Sequence, residues 1–399
     1  VIDDKDQWAR NPIHTLINSI EVNCAYSSFF SNEDLSEQKY NRILQHYSKY
    51  NDPYLKYLLQ EKNDIHLFLL AIAKQQFWSQ RKPNNYEIAR MLNLFFFDNP
   101  LPNTSKLLLQ KINISILDWL YLSYAVLTNT ITQHSPVINE SYYLDSDLKT
   151  LPKDSVKPFF AASSLTFEGV RNRYLELHQN LSPLDNVFIP SVFIEKPLIK
   201  KSESTYILPH PYLPIIHATD GLYRACYQVA PDIFLPEFSK SFETYVGKIL
   251  AEIPGIINIF SEKEIQKVSD GRSCDYLLEF QDCILLVECK GVRYNSLRFT
   301  ANAIENDNST GKIADAYSQI IETANRVIRR DLDTLLFDSM KPLCGLCVVF
   351  GEIYFLNAPP FFSNYVQKRI KLPEYDFSNW PSPLTLAPQA VSIDTFEKM

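Results

Sequence analysis

Two carboxylates and one ammonium group come together if residues 275–290 fold as a hairpin. The segment Asp275-Tyr-Leu-Leu-Glu-Phe-Gln-Asp-Cys-Ile-Leu-Leu-Val-Glu288-Cys289-Lys290 sets two runs of strand formers on either side of Gln281-Asp282. With that pair as a two-residue turn, Phe280 faces Cys283. Stepping outward then brings Asp275 directly opposite Glu288, although Gln-Asp is not a favoured hairpin pair. Side chains alternate along a strand, so Glu288 and Lys290 share a face. Opposed carboxylates repel, and the neighbouring Leu277, Ile284, Leu286 and Val287 raise the cost of keeping them charged. A hard divalent cation resolves the conflict. Mg2+ takes oxygen ligands and is typically held by one or two carboxylates with phosphate oxygens and water. Lys290 would then orient an attacking water or stabilise charge growing on a phosphate. The spacing fits phosphodiester hydrolysis. The competing reading is a surface hairpin with a Glu288–Lys290 ion pair, which leaves unexplained a glutamate at the end of so apolar a strand.

The elements that must position these groups lie between residues 236 and 358. A helix is expected over 238–253, with Phe238, Phe242, Tyr245, Val246, Ile249 and Leu250 as its apolar stripe and Glu243 at the stripe's edge. A strand follows near 256–260, then the hairpin, a loop, a helix near 311–330, and strands near 343–350 and 353–356. Helix and strand interleaved in this way predict a mixed α/β domain. Residues 1–190 read as mostly α-helical, with apolar residues at helical spacing over 65–78, 86–97 and 106–128. Residues 191–235, punctuated by proline, read as a connecting segment, and the proline-rich tail 359–399 as a surface wrap.

The order helix-Glu243, strand-Asp275, strand-Glu288-x-Lys290, helix-Gln319 resembles the PD-(D/E)XK, or restriction-endonuclease-like, nuclease superfamily. The resemblance covers about a third of the chain. It implies a mixed central sheet and a Mg2+ (or Mn2+) centre. Asp275 would be the main metal ligand, Glu288 and Lys290 the Glu-x-Lys pair, and Glu243 the helix glutamate that helps hold a metal water. The Cys289 carbonyl would be an extra ligand, and Gln319 the glutamine that some branches place near the site. The proline that precedes the aspartate in the family is Cys274 here. The implied activity is endonucleolytic, on DNA in the first reading and on RNA such as tRNA in the second. A large non-catalytic N-terminal half suggests, by analogy, a bacterial restriction or anti-phage role in which that half recognises substrate or a protein trigger. A third reading keeps the fold as a non-catalytic binding module.

Composition narrows the partners. The 399 residues carry a net charge of −7, so nucleic acid must be met by a local basic patch. Arg293, Arg298, Lys312, Arg326, Arg329 and Arg330 follow the site, and the first four are the expected phosphate contacts. Seven irregularly spaced cysteines predict a reducing, cytoplasmic setting without disulfides. Cys344-Gly-Leu-Cys347 has metal-knuckle spacing but opens an apolar strand, which favours buried thiols over an iron–sulfur ligand set. The histidines never fall at ligand spacing, no phosphate-binding Gly-Lys-Ser/Thr loop occurs, and Ser273-Cys274 has no histidine beside it. No signal peptide opens at Val1. The longest apolar run, 116–127, contains Asp118 and is too short to span a bilayer, so no membrane partner is expected. Dimers are common among enzymes that cut both strands, but no homodimer interface is legible in the residues.

Overall fold

A computed structural model describes residues 85–97, 101–147, 150–179, 191–293, 308–352, 357, 359, 362–372 and 377–399. The expected helix over 65–78, the expected strand over 353–356, Cys24 and Arg298 lie outside these residues. The chain divides into two compact units, Val1–Phe234 and Leu235–Met399. Both sheets are mixed, so the architecture is mixed α/β. No helix among the described residues is long and apolar enough to cross a membrane.

In the first unit, the single helix expected over 106–128 is two. Pro102–Ile112 ends where Asn113 takes the left-handed conformation (φ 56°), and helix α1 (Ile116–Gln133) restarts after Ser115. The Ser115 hydroxyl caps α1 by accepting the Asp118 N–H at 3.0 Å. The unit also holds a four-stranded sheet: β1 (Val137–Asn139), β2 (Ser164–Thr166), β3 (Leu198–Lys200) and β4 (Thr205–Ile207), in the order β1-β4-β3-β2. Residues 191–235 are therefore not a plain connector. They supply β3, β4 and the helix Leu222–Val229, with proline at positions that begin elements: Pro197 just before β3 and Pro231 at the first position of the next helix.

The second unit is built on a five-stranded sheet. Helix α2 (Pro231–Ala251) leads through β5 (Asn258–Ser261) and helix α3 (Glu262–Val268) to β6 (Tyr276–Glu279) and β7 (Ile284–Lys290). Helix α4 (Asn308–Ile328) then crosses to β8 (Leu343–Val349), and β9 (Gln389–Ser392) closes the sheet. The order is β5-β6-β7-β8-β9. The first two pairings are antiparallel and the last two parallel, and α4 makes the crossover that a parallel β7–β8 pair requires. The proline-rich tail is thus partly internal, because β9 pairs with β8. Its alternation was obscured by the prolines that precede it.

Two helices hold the sheet from opposite sides. Phe238, Phe242, Val246 and Leu250 recur every fourth residue of α2 and are fully buried, each contributing about 1.5–3 kcal/mol. The helix begins seven residues earlier than its apolar stripe suggests, because Pro236 removes one N–H without ending it. A Cβ on Gly247 would lie 2.2 Å from the Tyr276 hydroxyl, so only glycine lets β6 come this close to α2. On the other side, a Cβ on Gly345 would lie 2.7 Å from Ile320 Cγ2, so this glycine sets how closely α4 lies on β8.

Candidate active site

The β6–β7 hairpin has the register expected from the sequence. The Phe280 N–H donates to the Cys283 carbonyl at 2.9 Å, and Tyr276 pairs with Val287. Asp275 therefore stands opposite Glu288 at the open end of the hairpin. The Asp275 N–H donates to Glu288 Oε2 at 3.2 Å, and the Cys289 N–H donates to Asp275 Oδ2 at 2.7 Å. The carbonyl of a strand residue points to the same side as its N–H, so the Cys289 carbonyl also faces the β6 edge. Glu288 is 2% exposed and Asp275 8%.

Lys290 lies on the same face as Glu288. Its ammonium donates to Glu288 Oε1 at 2.5 Å and to Gln319 Oε1 at 2.9 Å. Gln319 is fixed in turn, because its Nε2 donates to the Ser273 carbonyl at 3.0 Å. One turn further along α4, Thr323 Oγ1 accepts the Cys274 N–H at 2.9 Å. Helix α4 thus clamps the chain just before Asp275 and aims the lysine with one amide.

The electrostatics follow from burial. Desolvation pushes the Asp275 carboxyl up to about 6, with Glu243 and Glu262 adding to the rise and the Cys289 N–H and Lys290 opposing it. Desolvation and then Asp275 push Glu288 up to about 8, against the pull of Lys290. Burial disfavours the Lys290 ammonium, but Glu288 outweighs it and holds the lysine charged. The thiols of Cys274, Cys289 and Cys347 are pushed up by burial and stay protonated, which disfavours them as nucleophiles.

Of the sequence-predicted residues, Asp275, Glu288, Lys290 and Gln319 are brought together. Glu243 is near enough for its charge to raise Asp275, but its own carboxylate pairs with Lys240 on α2. Among the described residues, no group of three or more His, Cys, Asp or Glu side chains is arranged to hold a metal ion. Two opposed, repelling carboxylates are nonetheless an all-oxygen donor pair of the kind that holds Mg2+ when substrate and water complete the shell. The expected phosphate contacts divide. Lys312 is exposed. Arg293 stacks its guanidinium over the Phe350 ring at 4.6 Å. Arg326 is buried and donates to the Arg272 carbonyl, so it supports the loop before Asp275 and offers nothing to a phosphate at the surface.

Two residues at the site carried no sequence signal that was recognised. Arg272 is exposed and donates to Gln319 Oε1 at 3.3 Å, the same oxygen that holds Lys290. Glu262, the first residue of α3, is a further acid beside Asp275. Ser261 at the end of β5 pairs with Tyr276, the Glu262 N–H donates to the Asp275 carbonyl at 2.7 Å, and the Glu262 charge adds to the rise of the Asp275 carboxyl. Counting that register from β5 would have found it. Comparison with protein-family models, with curated proteins and with solved structures found no match to this chain.

Proposed function

We propose that the Leu235–Met399 unit is a divalent-metal-dependent endonuclease of the PD-(D/E)XK kind that hydrolyses phosphodiester bonds in DNA. The observation that carries the reading is the Lys290 ammonium held between Glu288 and Gln319, beside a buried Asp275–Glu288 pair. A structural ion pair needs neither a second buried carboxylate nor an amide that aims the lysine. Asp275 and Glu288 would hold Mg2+ (or Mn2+), with the Cys289 carbonyl on the same edge, and the charges of Glu243 and Glu262, which already act on Asp275, would help hold metal-bound water. When bound, the metal would supply a Lewis acid for the phosphoryl oxygens and a cation that offsets the paired carboxylates. Lys290 orients the attacking water and stabilises charge growing on the phosphate, and Gln319 keeps it in place. The order of elements that carry Glu243, Asp275, Glu288, Lys290 and Gln319 supports the family resemblance. The first unit would recognise substrate or a protein trigger, in restriction or anti-phage defence.

Incubating the full chain with plasmid DNA and with total RNA, in Mg2+ and in Mn2+, tests the reading. Cutting of DNA that is lost in Lys290→Ala supports it. Cutting of RNA alone moves the same chemistry to the other polymer, and cutting of neither removes the proposal.

A further inference from the structure

A cleft opens along α4 on the N-terminal side of Gln319. It is lined by Asn308, Gly311, Lys312, Asp315, Arg369 and Lys371. Three cations against one carboxylate make it net positive on a chain whose total charge is −7. Two separate stretches of chain build it, and they are fixed to each other. The Lys371 N–H donates to Ser318 Oγ at 3.2 Å, and a Cβ on Gly311 would lie 3.3 Å from Arg369 Nη1. The missing side chain at 311 leaves the space beside which the guanidinium lies. Lys312 and Lys371 are both exposed, so their charges are open to a ligand.

The position of the cleft identifies the ligand. Lys312, Asp315 and Gln319 follow at three- and four-residue spacing, which puts them on one face of α4. Seven residues separate Lys312 from Gln319, about 10 Å along a helix. A duplex lying with its axis along α4 rises about 3.4 Å per nucleotide on each strand, so this distance spans about three nucleotides of duplex. Gln319 holds Lys290, so a duplex with its reacting phosphate at Lys290 and its axis along α4 delivers another phosphate to the cleft. Lys312 and Lys371 meet such an oxyanion as point charges.

We infer that this cleft binds a backbone phosphate of the polynucleotide about three nucleotides from the bond that is cut. The inference rests on the nuclease reading and gives it a direction along the substrate. It makes Lys312 and Lys371 binding residues with no part in the chemical step.

The test measures binding of fluorescent oligonucleotides to the full chain carrying Asp275→Asn, with and without Lys312→Gln plus Lys371→Gln, which keep side-chain length and remove charge. A longer oligonucleotide is expected to bind about tenfold or more weakly to the double variant. The dependence of its affinity on salt should flatten by about one per lost phosphate contact. A dinucleotide should be unaffected. Equal affinity of the two proteins for the longer strand overturns the cleft, and so does a mononucleotide that binds through these lysines as tightly as the polymer. A Lys312→Gln plus Lys371→Gln protein that cuts with unchanged KM also removes the cleft and leaves the nuclease reading intact. Absence of cutting by wild type, with lysine- and length-dependent binding retained, removes hydrolysis and keeps the phosphate site.

Discussion

Asp275 and Glu288 face each other across the open end of the β6–β7 hairpin, joined by the hydrogen bond from the Asp275 N–H to Glu288 Oε2 at 3.2 Å. Both carboxyl groups are buried, and the Asp275 charge adds to burial in raising the cost of ionising Glu288. A chain selected only for stability would not keep this arrangement, since removing like charges from a buried pair is favourable. The displacement of Asp275 from 3.8 to about 6 corresponds to about 3 kcal/mol. Asp275→Asn is therefore expected to raise the stability of the metal-free protein near pH 8 by up to about 3 kcal/mol, while abolishing metal-dependent cutting. Denaturant melts with and without EDTA check the first half. A variant less stable than wild type without metal would mean that the pair is structural.

Acidity should show the same conflict. In the folded chain Asp275 holds its proton to about 6 and Glu288 to about 8, whereas in the unfolded chain both release it near about 4. Between those limits the folded state binds more protons, so metal-free stability falls as pH rises through the window and levels off above it. A divalent cation needs the deprotonated carboxylates, so its stabilising effect should grow over the same interval. Thermal melts at about pH 5 and about pH 8, in EDTA and in Mg2+, measure both trends. A Mg2+ shift that is as large at the lower pH would contradict them.

Gln319 is assigned a positioning role, because it touches Lys290 and Ser273 and needs no contact with the substrate. Gln319→Ala should lower kcat by about tenfold or more, with KM little changed, in keeping with about 1.4 kcal/mol for a lost charge-assisted hydrogen bond. A variant whose KM rises while kcat holds would place the glutamine in binding.

Arg272 shares the Gln319 oxygen with Lys290 and is exposed beside it. Arg272→Ala is expected to lower kcat/KM by about 10²-fold if the guanidinium meets the reacting phosphate, and Arg272→Lys to restore only part of it. Steady-state kinetics of the two variants decide this; full rescue by lysine would show that a point charge suffices.

The spacing of α4 from the sheet depends on Gly345, where a Cβ would press on Ile320 Cγ2 at 2.7 Å. Gly345→Val should cost about 1–3 kcal/mol and reduce cutting as well, because it pushes Gln319 away from Lys290. Loss of stability with activity intact in the folded fraction would detach the helix from the site.

What could be read from the sequence was local. The hairpin register followed from period-two alternation around Gln281-Asp282, and it fixed Asp275, Glu288 and Lys290 on one face. The meeting of Lys290 with Gln319 is a contact across separate elements that no local pattern encodes, and it came only from resemblance. Arg272 escaped because its side chain leaves a loop for an amide 47 residues away. Arg326 was read as a surface cation, yet its helix turns it inward beneath Arg272. Prolines misled twice. Those at 197 and 231 begin elements, and Pro236 sits inside a helix. Strand β9 was hidden in a tail whose composition looked unstructured.

The most direct test of the central claim is Mg2+-dependent cutting of plasmid DNA by wild type, Asp275→Asn and Lys290→Ala, with folding of each verified by circular dichroism. The account predicts cutting by wild type that EDTA abolishes, none by Asp275→Asn, and a loss of about 10²–10³-fold in Lys290→Ala. Cutting that survives Asp275→Asn, or that does not depend on a divalent metal, would contradict it.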